Sequence, residues 1–354
     1  MSEAQVRQAF AEQAKWCHRL GSPFTALLCE TLAEQLSAGT SVERRVLAWD
    51  GDPLPQGDGL PLRLCGALHS LARSNVSPVL SALYPPAVLP ERVQLWQAVR
   101  AAFERDYPEF ERYLAAAPQT NEVGRSAVLM CGFLTLAART RLPLRLYELG
   151  ASAGLNLIPD RYRYRFGTAE WGAPEARPLL APECAGPAPP VDAPLRIIAR
   201  RGCDVAPLDL ASGVDRERLL SYVWPDQPDR RALLESALGT ALKDPPRVER
   251  MEAARWVEHT LSGVAAAEPS VRVLYHSIVW NYLPADTQRR ISEHLLRCAE
   301  SATAAHPIAW LRFELDPAVP PASLRLRVWP QGEDQLLAQA QPHGRSVSLL
   351  PVAR

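Results

Sequence analysis

Residues Leu144 to Leu157, LRLYELGASAGLNL, form an apolar, strand-like run that ends in an acid and breaks into a glycine-spaced turn. This order of parts predicts a strand, a turn of backbone N–H groups and a helix N-terminus at the strand's carboxyl end, an arrangement suited to receiving a ligand. Two chemistries compete for it. In one, Glu148-x-Gly150-x-Ser152-x-Gly154 is a cofactor loop: Gly150 permits the tight turn, Gly154 lets the next helix pack closely, and Glu148 accepts hydrogen bonds from a cofactor's amino group or ordered water. In the other, Gly150-x-Ser152-x-Gly154 is a nucleophile elbow, with Ser152 attacking and His343 late enough in the chain to be its base. A turn that only packs a helix on a sheet is the plain alternative.

The flanking sequence weighs on this choice. After Pro143, short β-rich runs alternate with helical patterns: strands are expected at Leu144–Leu149, Leu195–Ala199, Val271–Ser277, Ile308–Glu314, Leu324–Trp329 and Ser346–Leu350, and helices at Arg230–Leu242, Met251–Leu261 and Thr287–Cys298. Such alternation predicts an α/β fold with a mostly parallel sheet covered on both faces, and the last two strands predict an antiparallel edge hairpin. The first 140 residues carry helical periodicity and no convincing strand, which gives an all-α N-terminal domain (1–140) before the sheet domain (141–354). Residues 173–194 hold seven prolines and are read as an irregular surface insertion over the sheet edge. An elbow-bearing hydrolase normally builds several strands and an oxyanion loop before its nucleophile, so the helical front half favours the cofactor loop.

Composition narrows the function classes. Basic and acidic residues balance at 39 each, which leaves no electrostatic footprint for sequence-independent binding to nucleic acid or an anionic membrane. A small-molecule substrate fits better. The seven cysteines form no C-x-x-C pair and the seven histidines no short ligand spacing, so neither a disulfide framework nor a metal site is expected. With no apolar run near the ~20 residues a span requires, the expected setting is the cytoplasm.

Over roughly residues 141 to 354 the order of segments resembles the class I S-adenosylmethionine-dependent methyltransferases, a Rossmann-like fold, and the whole chain resembles an uncharacterised bacterial family known as a domain of unknown function. Four segments carry the first resemblance. Glu148 to Gly154 looks like the motif whose loop contacts the methionine part of S-adenosylmethionine, with Ser152 replacing the more usual middle glycine. Arg201-Gly202-Cys203-Asp204 is similar to the end of the second strand, where an acid binds the ribose hydroxyls; Asp204 is preferred for that role over Glu170. Arg247-Val248-Glu249 is a poor match to a third strand. Val271 to Pro284 resembles the fourth strand and the segment after it, which implies that His276 faces the transferred methyl group as a general base, with Asn281 and Tyr282 orienting substrate.

Outside these segments, Gln119 to Arg125 is the densest polar cluster. Asn121 is expected to cap a helix running from Glu122 to Arg139, and if that helix packs beside the cleft, Asn121, Glu122 and Arg125 line the substrate site. The resulting expectation is a methyltransferase acting on an unidentified small molecule, its helical domain forming a cap that selects the acceptor. A serine hydrolase using Ser152 and His343, and a binding or scaffold protein of the same fold without catalysis, are the alternatives.

Overall fold

The computed structural model describes residues 2–262 and 268–351. In chain order it places α1 (Glu3–Arg19), α2 (Pro23–Gln35), α3 (Ser41–Leu47), α4 (Leu60–Arg73), α5 (Pro78–Ser81), α6 (Arg92–Arg105), α7 (Pro108–Leu114) and α8 (Arg125–Thr140), then β1 (Leu144–Leu149). There follow β2 (Arg163–Phe166), β3 (Ala169–Trp171), β4 (Leu179–Leu180), β5 (Glu183–Ala185), β6 (Ile197–Asp204), α9 (Gly213–Ser221), α10 (Pro228–Ala241), β7 (Val248–Arg250) and α11 (Ala253–Leu261). The chain closes with β8 (Val271–Ser277), α12 (Ala285–Ala299), β9 (Ile308–Leu315), β10 (Ala322–Trp329), β11 (Asp334–Ala340) and β12 (Ser346–Leu349). None of the described helices is long and apolar enough to cross a membrane.

Two compact units result. The first comprises Met1–Thr120 and Gly213–Arg231, and the second Asn121–Ser212 and Ala232–Arg354. The first is helical, and its helix starts are written locally in the sequence. Ser2 and Gln5 close a capping box on α1, Thr40 and Glu43 close another on α3, and Pro23, Pro61 and Pro78 occupy first-turn positions where a missing N–H costs nothing. Its core is built from Phe10, Phe24, Leu28, Leu64, Leu68 and Phe103, all essentially inaccessible. His69 is buried there, stacked on Tyr84, with Nδ1 2.9 Å from the Ser221 carbonyl oxygen; burial pushes its pKa down to about 3.

The second unit is organised by a nine-stranded sheet in the order β5-β12-β11-β10-β9-β8-β1-β6-β7. Strands β7, β6, β1, β8 and β9 are mutually parallel, and β10, β11 and β12 continue as an antiparallel meander. Phe133 of α8 packs edge-on to Tyr275 on one face of the sheet, while α11 and α12 cover Leu149, Cys203 and Leu274 on the other. That double cover explains why β1 and β8 are buried or half-buried at every position. The helix α8 belongs to this unit because Gly132 meets Leu311 of β9 with no room for a side chain.

Several details differ from the expectations. The C-terminal pair is a three-stranded meander, because β11, whose polar Gln335 and Gln339 broke the strand pattern, lies between β10 and β12. The proline-rich segment is not wholly irregular: β4 pairs with β2, and β5 pairs with β12 to cover the edge of the large sheet. Glu170 lies on β3 in the separate three-stranded sheet and pairs with Arg163, away from the strand ends of the large one.

Candidate functional site

The strand order reverses at β1. From β1 the chain builds outward through β6 and β7 on one side, then returns to place β8 and β9 on the other. In open parallel sheets such a switch point opens a crevice beyond the carboxyl ends of the strands. Glu148 lies there, flanked in register by Gly202 of β6 and Tyr275 of β8.

The turn after β1 has Gly150, Ser152 and Gly154 at φ +63°, +53° and +78°. A Cβ on Gly150 would come within 2.5 Å of Val279, and one on Gly154 within 2.9 Å of Pro246, so both glycines are required by conformation and by space. Ser152 adopts a backbone conformation that L side chains enter at a cost. No α-helix follows. Single 3₁₀ turns at Leu155–Leu157 and Pro159–Arg161 lead to β2, since Pro159 removes the N–H that a continuing helix needs. The expected helix dipole is therefore absent from this turn.

Side chains from distant segments hold the turn. The Ala151 N–H donates to the Cys203 carbonyl (3.0 Å), the Ser152 N–H to Asp204 Oδ2 (3.0 Å), and the N–H groups of Ala153 and Leu155 to Asn121 Oδ1 (3.2 and 2.9 Å). Asp204 Oδ1 also accepts from the Ala206 N–H at 2.9 Å. On the carbonyl side, Leu155 and Asn156 accept from the hydroxyls of Tyr162 (2.8 Å) and Tyr275 (3.0 Å). Asn156 in turn accepts from the Ser126 hydroxyl at 2.6 Å. The backbone amides that a cofactor loop would turn toward a ligand thus already have partners within the chain.

Asn121 is accordingly not a helix cap. The helix begins only at Arg125, after Gly124, and Asn121 spends its carbonyl on the glycine turn. Glu122 is buried, and its carboxylate accepts from the Gly124 N–H at 3.4 Å. Arg125 donates from Nη1 to the Ser277 carbonyl at the end of β8 (2.8 Å) and from Nε to the Pro342 carbonyl (3.1 Å). The structure therefore brings Asn121, Glu122 and Arg125 to the same strand ends as Glu148, Gly150, Ser152, Gly154 and Asp204. His343 follows Pro342 in the turn between β11 and β12, where its carbonyl lies against Gly124.

Glu148 is 2 % exposed, and burial drives its pKa well above the usual carboxylate value. The Asp204 charge pushes the same way, while the Tyr275 hydroxyl, 3.3 Å from Oε2, and the Arg125 guanidinium oppose it. Glu249, the last residue of the segment likened to a third strand, forms a bidentate ion pair with Arg201 at 2.9 Å for both contacts.

His276 is fully buried, stacked on Trp280 at 5.0 Å between ring centroids. The Trp310 indole N–H, which can only donate, lies 3.1 Å from Nε2, so the ring hydrogen is on Nδ1 and points at Glu314 Oε1, 2.6 Å away. Both ring nitrogens are spent, which leaves His276 no lone pair for the general-base role expected of it. Asn281 and Tyr282 are exposed on the 3₁₀ turn Trp280–Tyr282 that follows. Ser152 is buried, and the Ala153 N–H that an elbow would offer to an oxyanion is bonded to Asn121, so the geometry does not favour the hydrolase.

Sequence reasoning missed Tyr275, Asn156 and Glu314. Tyr275, inside the segment likened to the fourth strand, and Glu314 pass for ordinary strand alternation, and Asn156 passes for a helix residue; no spacing in the sequence marks any of them for a role.

No curated protein and no solved structure matches the chain. A family model does match, over residues 7–348, and the chain belongs to that family, described as "uncharacterized protein conserved in bacteria (DUF2332)".

Proposed function

We propose that this protein binds S-adenosylmethionine at the carboxyl ends of β1, β6 and β8 and transfers its methyl group to a small-molecule acceptor. The observation that carries this reading is the parallel order β7-β6-β1-β8-β9 with a glycine turn leaving the central strand at the point of reversal. The engaged amides of the turn sharpen it. A loop whose N–H groups are bonded to Asn121, Asp204 and Cys203 and that lacks a following helix is a poor phosphate cradle. With the carboxyls of Glu148, Asp204 and Glu122 close by, a phosphate-free cationic ligand suits it better than a dinucleotide.

When bound, the cofactor supplies an electrophilic methyl group. The chain's own residues hold and shape the place for it. Glu148 accepts hydrogen bonds at the end of β1, Gly150 and Gly154 let the backbone turn tightly, and Asp204 and Asn121 hold that turn. In this reading Asp204 also contacts the ribose hydroxyls, Arg125 and Glu122 lie on the acceptor side, and Asn281 and Tyr282 orient the acceptor. Transfer proceeds by positioning, which requires no base at His276.

The test is to saturate the purified protein with S-adenosylmethionine, remove unbound ligand by rapid gel filtration, denature it and quantify released cofactor by mass spectrometry. Near-stoichiometric recovery of the cofactor or its demethylated product is expected, with NAD and ATP not retained. Retention of the nucleotides alone would overturn the reading. Cofactor retained without turnover on any acceptor would favour the non-catalytic alternative.

A further inference from the structure

Glu314, at the carboxyl end of β9, uses its two carboxyl oxygens unequally. Oε1 accepts three hydrogen bonds, from His276 Nδ1 (2.6 Å), the Val279 N–H (3.1 Å) and the Trp280 N–H (3.2 Å). Oε2 is buried and has no hydrogen-bond partner among the described residues. A buried acceptor left unmet is costly, and more so when charged. Three donors on one oxygen fix the rotamer, so Oε2 cannot turn away to find a partner within the chain.

The surroundings maintain this arrangement. Ile278, a β-branched residue at φ +50°, immediately precedes the two amides that grip Oε1, a conformation that persists only where its neighbours impose it. Trp280, whose amide is one of the two, stacks its ring on His276. Val279, whose amide holds Oε1, covers Gly150 with its side chain, which ties Glu314 directly to the turn after β1.

We propose that Glu314 Oε2 is the binding position for the N–H of a small amine, and that His276 is the positioning residue for Glu314. A carboxylate oxygen with an open acceptor position recognises ammonium through a charge-assisted hydrogen bond. This subsite does not depend on the cofactor assignment; under the methyl-transfer reading its amine belongs to the acceptor molecule.

The test uses the full chain labelled with carboxyl-¹³C glutamate, without added cofactor, and follows the Glu314 signal, identified by its absence in Glu314→Gln. That variant keeps an oxygen for the three donors but puts an amide donor in the place of Oε2, so it retains the fold, checked by its thermal unfolding. Titration with methylammonium should shift the Glu314 signal saturably, while tetramethylammonium, with the same charge and no N–H, should leave it in place. In His276→Phe, methylammonium affinity should fall at least threefold. No saturable shift with methylammonium, or an equal shift with tetramethylammonium, would overturn the proposal; an unchanged affinity in His276→Phe would remove the positioning role.

Discussion

The helical unit and the sheet unit pair their polar groups to opposite ends. In the helical unit, Ser2 with Gln5 and Thr40 with Glu43 satisfy the starts of the helices they belong to, and His69 is held as a neutral ring. In the sheet unit, Asn121 and Asp204 satisfy amides of a turn more than thirty positions away from either, and Glu148 is a carboxyl group buried at a strand end. The first pattern stabilises local elements. The second fixes one irregular turn from several directions, which is what a preorganised ligand site requires.

The contrast can be broken most strongly at Asp204. Asp204→Ala removes the acceptor of the Ser152 and Ala206 amides and should cost about 3 kcal/mol in urea-induced unfolding. It should also abolish cofactor retention; full retention would remove Asp204 from the site.

The two units also differ in the sign of their pH response. His69 titrates near 3 when folded and near 6.5 when unfolded, so the unfolded chain takes up a proton that the folded one refuses. Its contribution to stability is therefore lost as pH falls from about 6.5 toward 3, by up to about 1.4 kcal/mol per pH unit. The difference in stability between the wild type and His69→Gln should carry that slope. Glu148 has the opposite sign. Its folded pKa is raised, so stability falls as pH rises above the ordinary value of 4.5, and Glu148→Gln should gain stability relative to wild type at pH 7. A flat difference across pH 4 to 7 for either variant would refute the corresponding burial argument.

Smaller effects sharpen the picture of the turn itself. Gly154→Ala places a Cβ at φ +78° against Pro246 and should cost about 1–2 kcal/mol. Ser152→Gly should instead gain up to about 1 kcal/mol by relieving the left-handed serine. A loss on Ser152→Gly would show that the hydroxyl contributes more than the backbone conformation costs.

Much of the fold was legible in the sequence for the same local reason. The periodicity of Val6, Phe10 and Phe24 marks the helices, and the run Val271–Ser277 marks β8 to the residue, because doubly covered strands and amphipathic helices impose their own patterns. The site was legible only where a glycine or an acid ended a strand, as at Glu148 to Gly154 and Asp204. Asn121 read as a helix cap since an Asn before an apolar helix has that local use, and only the tertiary fold sends its carbonyl to Ala153 and Leu155. His276 read as a base for a similar reason: its partners Glu314 and Trp310 lie more than thirty residues away on β9. Long-range polar pairing leaves no trace in the spacing of either segment.

Under the proposed function, the turn after β1, held by Asn121 and Asp204, receives S-adenosylmethionine. Isothermal titration of the wild-type chain and Asn121→Ala with the cofactor tests it most directly. Saturable binding at one site, weakened at least tenfold when the turn loses its Asn121 acceptor, is the predicted result; no heat at millimolar cofactor, or equal affinity in both proteins, would contradict it.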